Sequence, residues 1–455
     1  MHALYAPRVR FLLANNHCIS DPTAGVSQSL RTIVEWLVDA GHEGRVLTTA
    51  RFEGRVGFTI EQHLEALGVE MPRRPEAGRA DRGHRAPTAR ARPVVRYRVG
   101  GAPVTLLLTR HNDEARPDRL EARQYEALLS TLLDEFAPDQ LIACNAHPMI
   151  GAALAAARSR GITTAYAVRG FGYYDARYFA HVDHAFTCSQ FLTDLYRREI
   201  GLDSTPIEPP IDWSTVVAPT DTRAFVTFVH PALHKGLMLF ARLADMLGSR
   251  RPDIPILVVQ SGESGGALNA IPGIDFSRYP QIMAAPAVPR PADYFALTRI
   301  LLVPSVWEEP FGRVAAEAMI NAIPAIVSDR GSLPDVVGGD TNVGGGGCVR
   351  PVPTWMTPES RRLPTEQEIE SWFDAVCALW DDAAYYGRIA QRGRQLAEER
   401  YSEAVSRRRH VEYFTSLSPR AGPITGTARP RRTAPRAHEV SQASTPAPDD
   451  RTNDR

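Results

Sequence analysis

The 455-residue chain contains a single lysine, Lys235, among 52 basic residues. It stands in His230-Pro-Ala-Leu-His-Lys235-Gly236, directly after the apolar run 224–229 (AFVTFV). The other segment rich in chemistry is 301–330, LLVPSVWEEPFGRVAAEAMINAIPAIVSDR. A strand pattern there ends at Pro304, a polar and aromatic loop carries Glu308, Glu309, Pro310, Phe311 and Gly312, and a helical pattern follows. A helix start offers unpaired N–H groups and the positive end of the macrodipole, which suits an anion such as a diphosphate. Gly312 permits close backbone approach. Carboxylates at such a place do not bind phosphate; Glu309 and Glu317 are suited to accept hydrogen bonds from hydroxyls, as on a sugar and a ribose. An ammonium is a compact point charge and a guanidinium a planar fork, so a narrow pocket beside phosphate oxygens distinguishes Lys235 from the surrounding arginines. Plainer readings exist for each feature. Arg313 and Glu317 are spaced i, i+4 and fit a surface pair worth ~0.2–0.5 kcal/mol. Glu308 and Glu309 fit a solvated loop.

These residues need elements to hold them. Residues 9–14, 45–49, 104–109, 140–144, 162–168 and 184–188 read as strands, with helices at 26–40, 119–136, 149–160 and 189–199. The same grammar restarts near 224: strands at 224–229, 255–260, 299–303 and 324–328, with helices at 236–249 and 312–321. The alternation predicts an α/β protein with two Rossmann-like, doubly wound domains facing a central cleft. Ligands of such sheets sit outside the carboxyl ends of the strands. The Pro- and Thr-rich stretch 205–222 marks the boundary, giving domains 1–212 and 213–417. Residues 366–416 read as helical, the last helix packing back on the N-terminal domain. Residues 418–455 read as a disordered tail. Residues 73–98 carry nine arginines against two acids and read as a mobile loop, or as a docking patch for an anionic acceptor or lipid head group. The glycine run Gly344–Gly347 reads as a mobile loop without an assigned role.

Glu309, seven intervening residues and Glu317, inside EEPFGRVAAEAM, resemble the signature of family 4 (group 1) retaining glycosyltransferases with the GT-B fold. The similarity continues through 324–337 (PAIVSDRGSLPDVV), 230–236 (HPALHKG) and the helix entry around Gly25, over roughly 8–415. The resemblance implies an N-terminal acceptor-side domain, a C-terminal nucleotide-sugar-binding domain and retention at the anomeric carbon. It implies that Glu309 contacts donor-sugar hydroxyls, that Glu317 contacts the ribose, and that Lys235 neutralises the diphosphate. Backbone amides from Gly312 through Arg313 to Val314 would meet sugar and phosphate after the Phe311–Gly312 step. Gly25 would let the N-terminal domain approach the diphosphate, although a glycine there also simply shapes a turn, and members often carry two. Gly262 in VVQSGES would shape the loop near the nucleotide. The chain departs from the pattern twice: His230 stands where many members have arginine, and Arg169 where many have histidine. Arg169 then faces the sugar or its phosphate. His147 and His181 are nearby in sequence and could stand in for that histidine, but a lone histidine is more often structural.

Composition excludes other classes. Basic and acidic residues balance at 52 each, which gives no case for a nucleic-acid partner. The five cysteines form no CxxC pair, and neither a metal site nor a disulfide framework is expected. No run of about 18 apolar residues appears, and no secretory signal is evident. The expected setting is cytoplasmic, with contact at the inner face of the membrane as an option. The expected ligands are a nucleotide-sugar donor and a glycan, glycolipid or small-molecule acceptor, with no cofactor and no metal. A nucleotide-sugar epimerase, a glycan phosphorylase and a non-catalytic sugar-binding relative share this fold. A phosphorylase would need a lysine for pyridoxal phosphate, and the only lysine is already placed at the diphosphate.

Overall fold

A computed structural model describes residues 8–22, 24–53, 56–71, 91–112, 117–219, 222–260, 271–286, 288, 290–339, 344–420, 422, 424 and 425. The N-terminal half runs β1 (Arg10–Ala14), α1 (Gly25–Asp39), β2 (Glu43–Thr49), α2 (Ile60–Ala66), β3 (Val94–Val99), β4 (Ala102–Leu107), α3 (Arg119–Phe136), β5 (Gln140–Cys144), α4 (Pro148–Arg158), β6 (Thr163–Val168), β7 (His184–Thr187), α5 (Gln190–Ile200) and β8 (Ser204–Pro206). The remainder runs α6 (Trp213–Val216), β9 (Phe225–Val229), α7 (Leu237–Arg250), β10 (Ile256–Val259), β11 (Ile282–Ala285), α8 (Pro291–Phe295), β12 (Thr298–Val303), α9 (Arg313–Ile320), β13 (Ala325–Ser328), α10 (Leu333–Val336), β14 (Gly347–Arg350), α11 (Glu370–Asp381), α12 (Ala383–Tyr401) and α13 (Glu403–Ser416).

Two sheets result, in the orders β3-β4-β2-β1-β5-β6-β7-β8 and β11-β10-β9-β12-β13-β14. Every pairing is parallel except β3 with β4. Central strands such as β5 and β6 are buried along their whole length, the expected state for a parallel sheet covered on both faces. Helices supply the cover through single apolar stripes: α1 buries Leu30, Ile33, Val34 and Leu37. In each sheet the chain winds one way from a central strand and then the other. The reversal lies between β1 and β5 in the first sheet and between β9 and β12 in the second. Those two switch points open crevices at the strands' carboxyl ends.

The last helix joins the two halves. The α13 residue His410 meets Trp36 of α1 edge-on at 5.7 Å, Phe414 meets Phe186 of β7 at 5.5 Å, and Gln140 donates from Nε2 to the Phe414 carbonyl at 2.7 Å. Three segments differ from the sequence reading. Within 73–98, residues 94–98 belong to β3, an edge strand whose exposed arginines alternate with inward Val95 and Val99; the basic stretch before residue 91 lies outside the described residues. The chain after 417 does not leave the body at once: Ile424 is buried, Thr425 bridges to Leu202, and Arg420 pairs with Asp203 at 3.0 Å. Residues 426–455 lie outside the described set. Gly347 opens β14, and Gly346 packs against Gly393 of α12. Among the described residues, no helix is long and apolar enough to cross a membrane.

Candidate functional site at the second switch point

The chain leaves β9 at His230, turns through Leu233–Lys235 and enters α7 at Gly236. It leaves β12 at Pro304, loops through Ser305–Phe311 and enters α9 at Gly312. The two loops are sewn together by backbone bonds: the His234 carbonyl accepts from Val306 N at 3.1 Å and from Trp307 N at 3.3 Å. Both helices start on a left-handed glycine, Gly236 at φ 88° and Gly312 at φ 86°. A Cβ at Gly236 would sit 1.9 Å from the Pro304 carbonyl oxygen, and one at Gly312 would sit 2.5 Å from Leu333 Cδ2. Only glycine satisfies both the backbone angle and the space.

Neither helix start is closed by a side chain, and neither carries an acid in its first turn. The start of α1, in the N-terminal domain, is the same: Ala24 precedes Gly25 without a side-chain cap. It stands opposite α9, since a Cβ on Gly25 would lie 3.9 Å from Arg313 Cδ. By contrast α2, α3, α4, α5 and α12 are capped by Thr59, Asp118, His147, Ser189 and Asp382. Open N-termini of α1, α7 and α9 around one cleft leave N–H groups and positive dipole ends available to an anion.

Lys235 stands at the entrance to α7. Its Nζ is 2.7 Å from Glu309 Oε1 and 5.0 Å from the centre of the Trp307 ring. Ser305 Oγ donates to the same carboxylate oxygen at 2.6 Å. Burial pulls the Glu309 pKa upward, but the Lys235 ammonium and these hydrogen bonds outweigh it, leaving the carboxyl below the ordinary glutamate range. Glu309 is therefore ionised at neutral pH. Sequence reasoning missed Ser305 and Trp307, although both stand in PSVWEEPFG, where a hydroxyl and a flat ring beside a paired acid were a readable signal.

Glu317 lies on α9 with 5% of its surface exposed, and Arg313 Nε donates to it at 3.2 Å. The i, i+4 pair is present, but it is no solvated surface pair. Burial raises the Glu317 pKa against the pull of Arg313. A buried acid with a raised pKa holds its proton more tightly when folded. It favours folding in acid and opposes it as pH climbs from the unfolded value through the raised one. Glu317→Gln removes that opposition. Its melting temperature, relative to the parent protein, is expected to be higher at about pH 7.5 than at about pH 4; paired thermal melts check this.

The other expected site residues fall out differently. His230 adopts φ 59°, and lost hydration and the Lys235 ammonium together lower its pKa. Val314 lies in the first turn of α9. The Phe311 ring is buried edge-on against Tyr401 at 5.7 Å, so it anchors the loop. Gly262 lies outside the described residues. His147 caps α4 by accepting from Met149 N, and His181 is exposed after β6. The domains touch here: Ser189 Oγ donates to the Pro310 carbonyl at 2.6 Å, and Phe171 meets Trp307 at 6.0 Å.

Arg169 does not face the cleft. Its guanidinium lies 5.0 Å above the Phe186 ring, and all three nitrogens are buried without a hydrogen-bond partner among the described residues. Its neighbours Cys144, Cys188 and Tyr413 all have raised pKa values, so none supplies a negative charge. A buried charge without a counter-charge costs stability. Arg169→Met is expected to stabilise the fold by about 1–3 kcal/mol, visible as a higher melting temperature.

Residues 277–344 match the family model for glycosyl transferases group 1. That span holds β12, the Glu309 loop, α9 and α10. Among solved structures, a glycosyltransferase from Rickettsia africae superposes with a TM-score of 0.61 at 12% identity, over 90% of this chain and 98% of that one. A sucrose-phosphate synthase from Thermosynechococcus elongatus gives 0.63 at 15% over 90% and 98%. The Anabaena protein HepE, in complex with UDP and glucose, gives 0.58 at 15% over 89% and 99%. The fold is GT-B. Its two Rossmann-like domains face each other across the cleft just described. At these identities the likeness carries the fold alone. No curated protein sequence matches the chain.

Proposed function

We propose that this GT-B protein transfers a glycosyl group from a nucleoside-diphosphate sugar to an acceptor, with retention at the anomeric carbon. The observation that carries the reading is the group of open helix starts, α1, α7 and α9, around one cleft with Lys235 beside them. Uncapped helix starts and an ammonium grouped beside an ionised Glu309 suit an anionic ligand. The group 1 match over this segment supports the same reading, and HepE, with UDP and glucose bound, is a protein of the same fold that takes such ligands.

In this account the diphosphate lies at the mouths of α7 and α9. The bond from the anomeric carbon to the diphosphate oxygen breaks as the acceptor oxygen bonds to that carbon, and the acceptor's proton leaves on the departing diphosphate. Lys235 and the amides of Arg313 and Val314 stabilise the charge that develops there. Lys235 shares its three donors between Glu309 and the phosphate, and Glu309 and Glu317 accept hydrogen bonds from sugar and ribose hydroxyls. Because the ammonium and helix dipoles face the leaving group, we propose that turnover is metal-independent; full activity in excess EDTA is expected, and an absolute requirement for manganese or magnesium would contradict it.

The experiment that tests the function is a panel of UDP-, GDP-, ADP- and dTDP-sugars, read by thermal unfolding and by release of nucleoside diphosphate. A ligand at about 100 times its Kd raises stability by about 2.7 kcal/mol. One base is expected to protect the protein and its sugar to be turned over. Failure of every member to do either would overturn the reading.

A further inference from the structure

Arg169 directly follows β6, whose Val168 pairs with Thr187 of β7 and whose Ala167 pairs with Cys144 of β5. Its Cζ lies 5.0 Å over the Phe186 ring, a contact that supplies no negative charge. All three guanidinium nitrogens are buried and have no hydrogen-bond partner among the described residues. Tyr413, on α13, packs against the same Phe186 ring at 5.4 Å, and its Oη is likewise buried without a partner. A cation and a hydroxyl therefore share one aromatic ring, between the first sheet and the returning helix, with donors left over.

No neighbour makes good the charge. Cys188 Sγ donates to the carbonyls of Pro310 at 3.5 Å and of Arg169 at 3.9 Å, as a neutral thiol does. Burial pushes the Cys144 thiol to about 12 and that of Cys188 to about 11, against the pull of Arg169. His410 Nδ1 donates to the Ser406 carbonyl at 2.8 Å, and burial brings the ring down to about 4, so it is neutral. Of the nearby acids, Asp203 pairs with Arg420 at 3.0 Å, and Glu53 acts on Cys144 rather than on Arg169. An arginine side chain keeps its proton in a protein. A buried charge that can neither be neutralised nor paired internally favours a counter-ion from solvent.

We propose that Arg169 and Tyr413 bind a small monovalent inorganic anion, of the class of chloride, between the first sheet and α13. One negative charge balances the guanidinium, whereas a divalent anion would leave an excess buried. With both donor groups buried, a single-atom ion reaches them with the least displacement of the surrounding rings. Arg169 as a residue is only half-buried, so such an ion has a short way in. The site is separate from the donor cleft and independent of the reaction proposed there. Its consequence is structural coupling. The end of α12 is tied to the second domain, where Tyr401 Oη donates to the Val336 carbonyl at 3.0 Å, while α13 packs on the first. The anion fastens that returning helix to β6 and β7 where the two domains join.

Thermal melts in sodium chloride and in sodium gluconate, at equal ionic strength and without nucleotide, test the site. Chloride is expected to raise the melting temperature saturably, by at least about 2 °C over gluconate. Arg169→Met is expected to melt alike in the two salts, so its gain over the parent protein is larger in gluconate than in chloride. Tyr413→Phe, which removes only the hydroxyl, is expected to need roughly tenfold more chloride for half of the rise. Crystals of the parent protein grown in bromide are expected to show an anomalous peak in contact with the Arg169 guanidinium and Tyr413 Oη. If Arg169→Met fails to fold, Tyr413→Phe and the bromide crystal still decide. Absence of bromide beside Arg169, an equal response to chloride in the parent protein and a variant, or a bromide peak without any chloride effect on melting (binding at crystal concentration only) would overturn the proposal.

Discussion

Lys235→Arg is expected to lower turnover of the nucleotide sugar by more than about 100-fold while leaving the fold intact. The change keeps the charge, so any loss measures geometry. The ammonium is seated 2.7 Å from Glu309 Oε1 and 5.0 Å from the centre of the Trp307 ring, with the His234 carbonyl fixing the turn beneath it. A guanidinium placed there forms a two-pronged pair with Glu309 and extends past the spot where three tetrahedral donors would divide between carboxylate and phosphate. Preorganised charge at a leaving group loses its value when it is misplaced, because it must then reorganise during the reaction. Initial rates of nucleoside diphosphate release, with a melting curve as the control for folding, check this. Turnover close to that of the parent protein would take Lys235 out of the mechanism.

Gly236→Ala is expected to cost at least about 3 kcal/mol of stability and to abolish activity. Its cause is separate, since it acts through backbone. The new methyl group would overlap the Pro304 carbonyl oxygen at the end of β12, and the φ of 88° is itself unfavourable for alanine. Relief requires the Leu233–Lys235 turn to move from the β12 loop, which breaks the bonds from Val306 and Trp307 to His234 and separates Lys235 from Glu309. Gly387→Ala is the control. Gly387 lies within α12 in open space, where alanine is expected to be neutral or slightly stabilising by its better helix propensity. Chemical denaturation of both variants against the parent protein reads the difference.

Much of this architecture was legible because central parallel strands and amphipathic helices have distinct periods. VRFLLA, QLIAC and RILLV are apolar runs too short for helices, and each is a central strand. Edge strands were not legible. β11 has one neighbour and a mixed pattern of exposure, and β3 alternates arginine with valine in a stretch whose overall charge resembles a loop. The docking of Arg420, Ile424 and Thr425 was hidden because it rests on one buried side chain, Ile424, and a few bonds.

The site divides in the same way. Glu309, Lys235 and Gly312 were readable because a helix start, a lone lysine and paired acids each have a chemical signature. What sequence cannot carry is direction. Arg169 directly follows β6, but its guanidinium lies over the Phe186 ring. Phe311 stood in the central loop but its ring went to Tyr401. Arg169 and Tyr413 are far apart in sequence, and only the packing of α13 on β7 brings both to Phe186.

The most direct test of the central claim is a crystal structure with a nucleoside diphosphate bound. The distal phosphate is expected within about 3 Å of Lys235 Nζ and of the Arg313 or Val314 amide, with the ammonium shared between Glu309 and the phosphate. A diphosphate bound elsewhere, or one bound while Lys235 keeps Glu309 as its sole partner, would contradict the account.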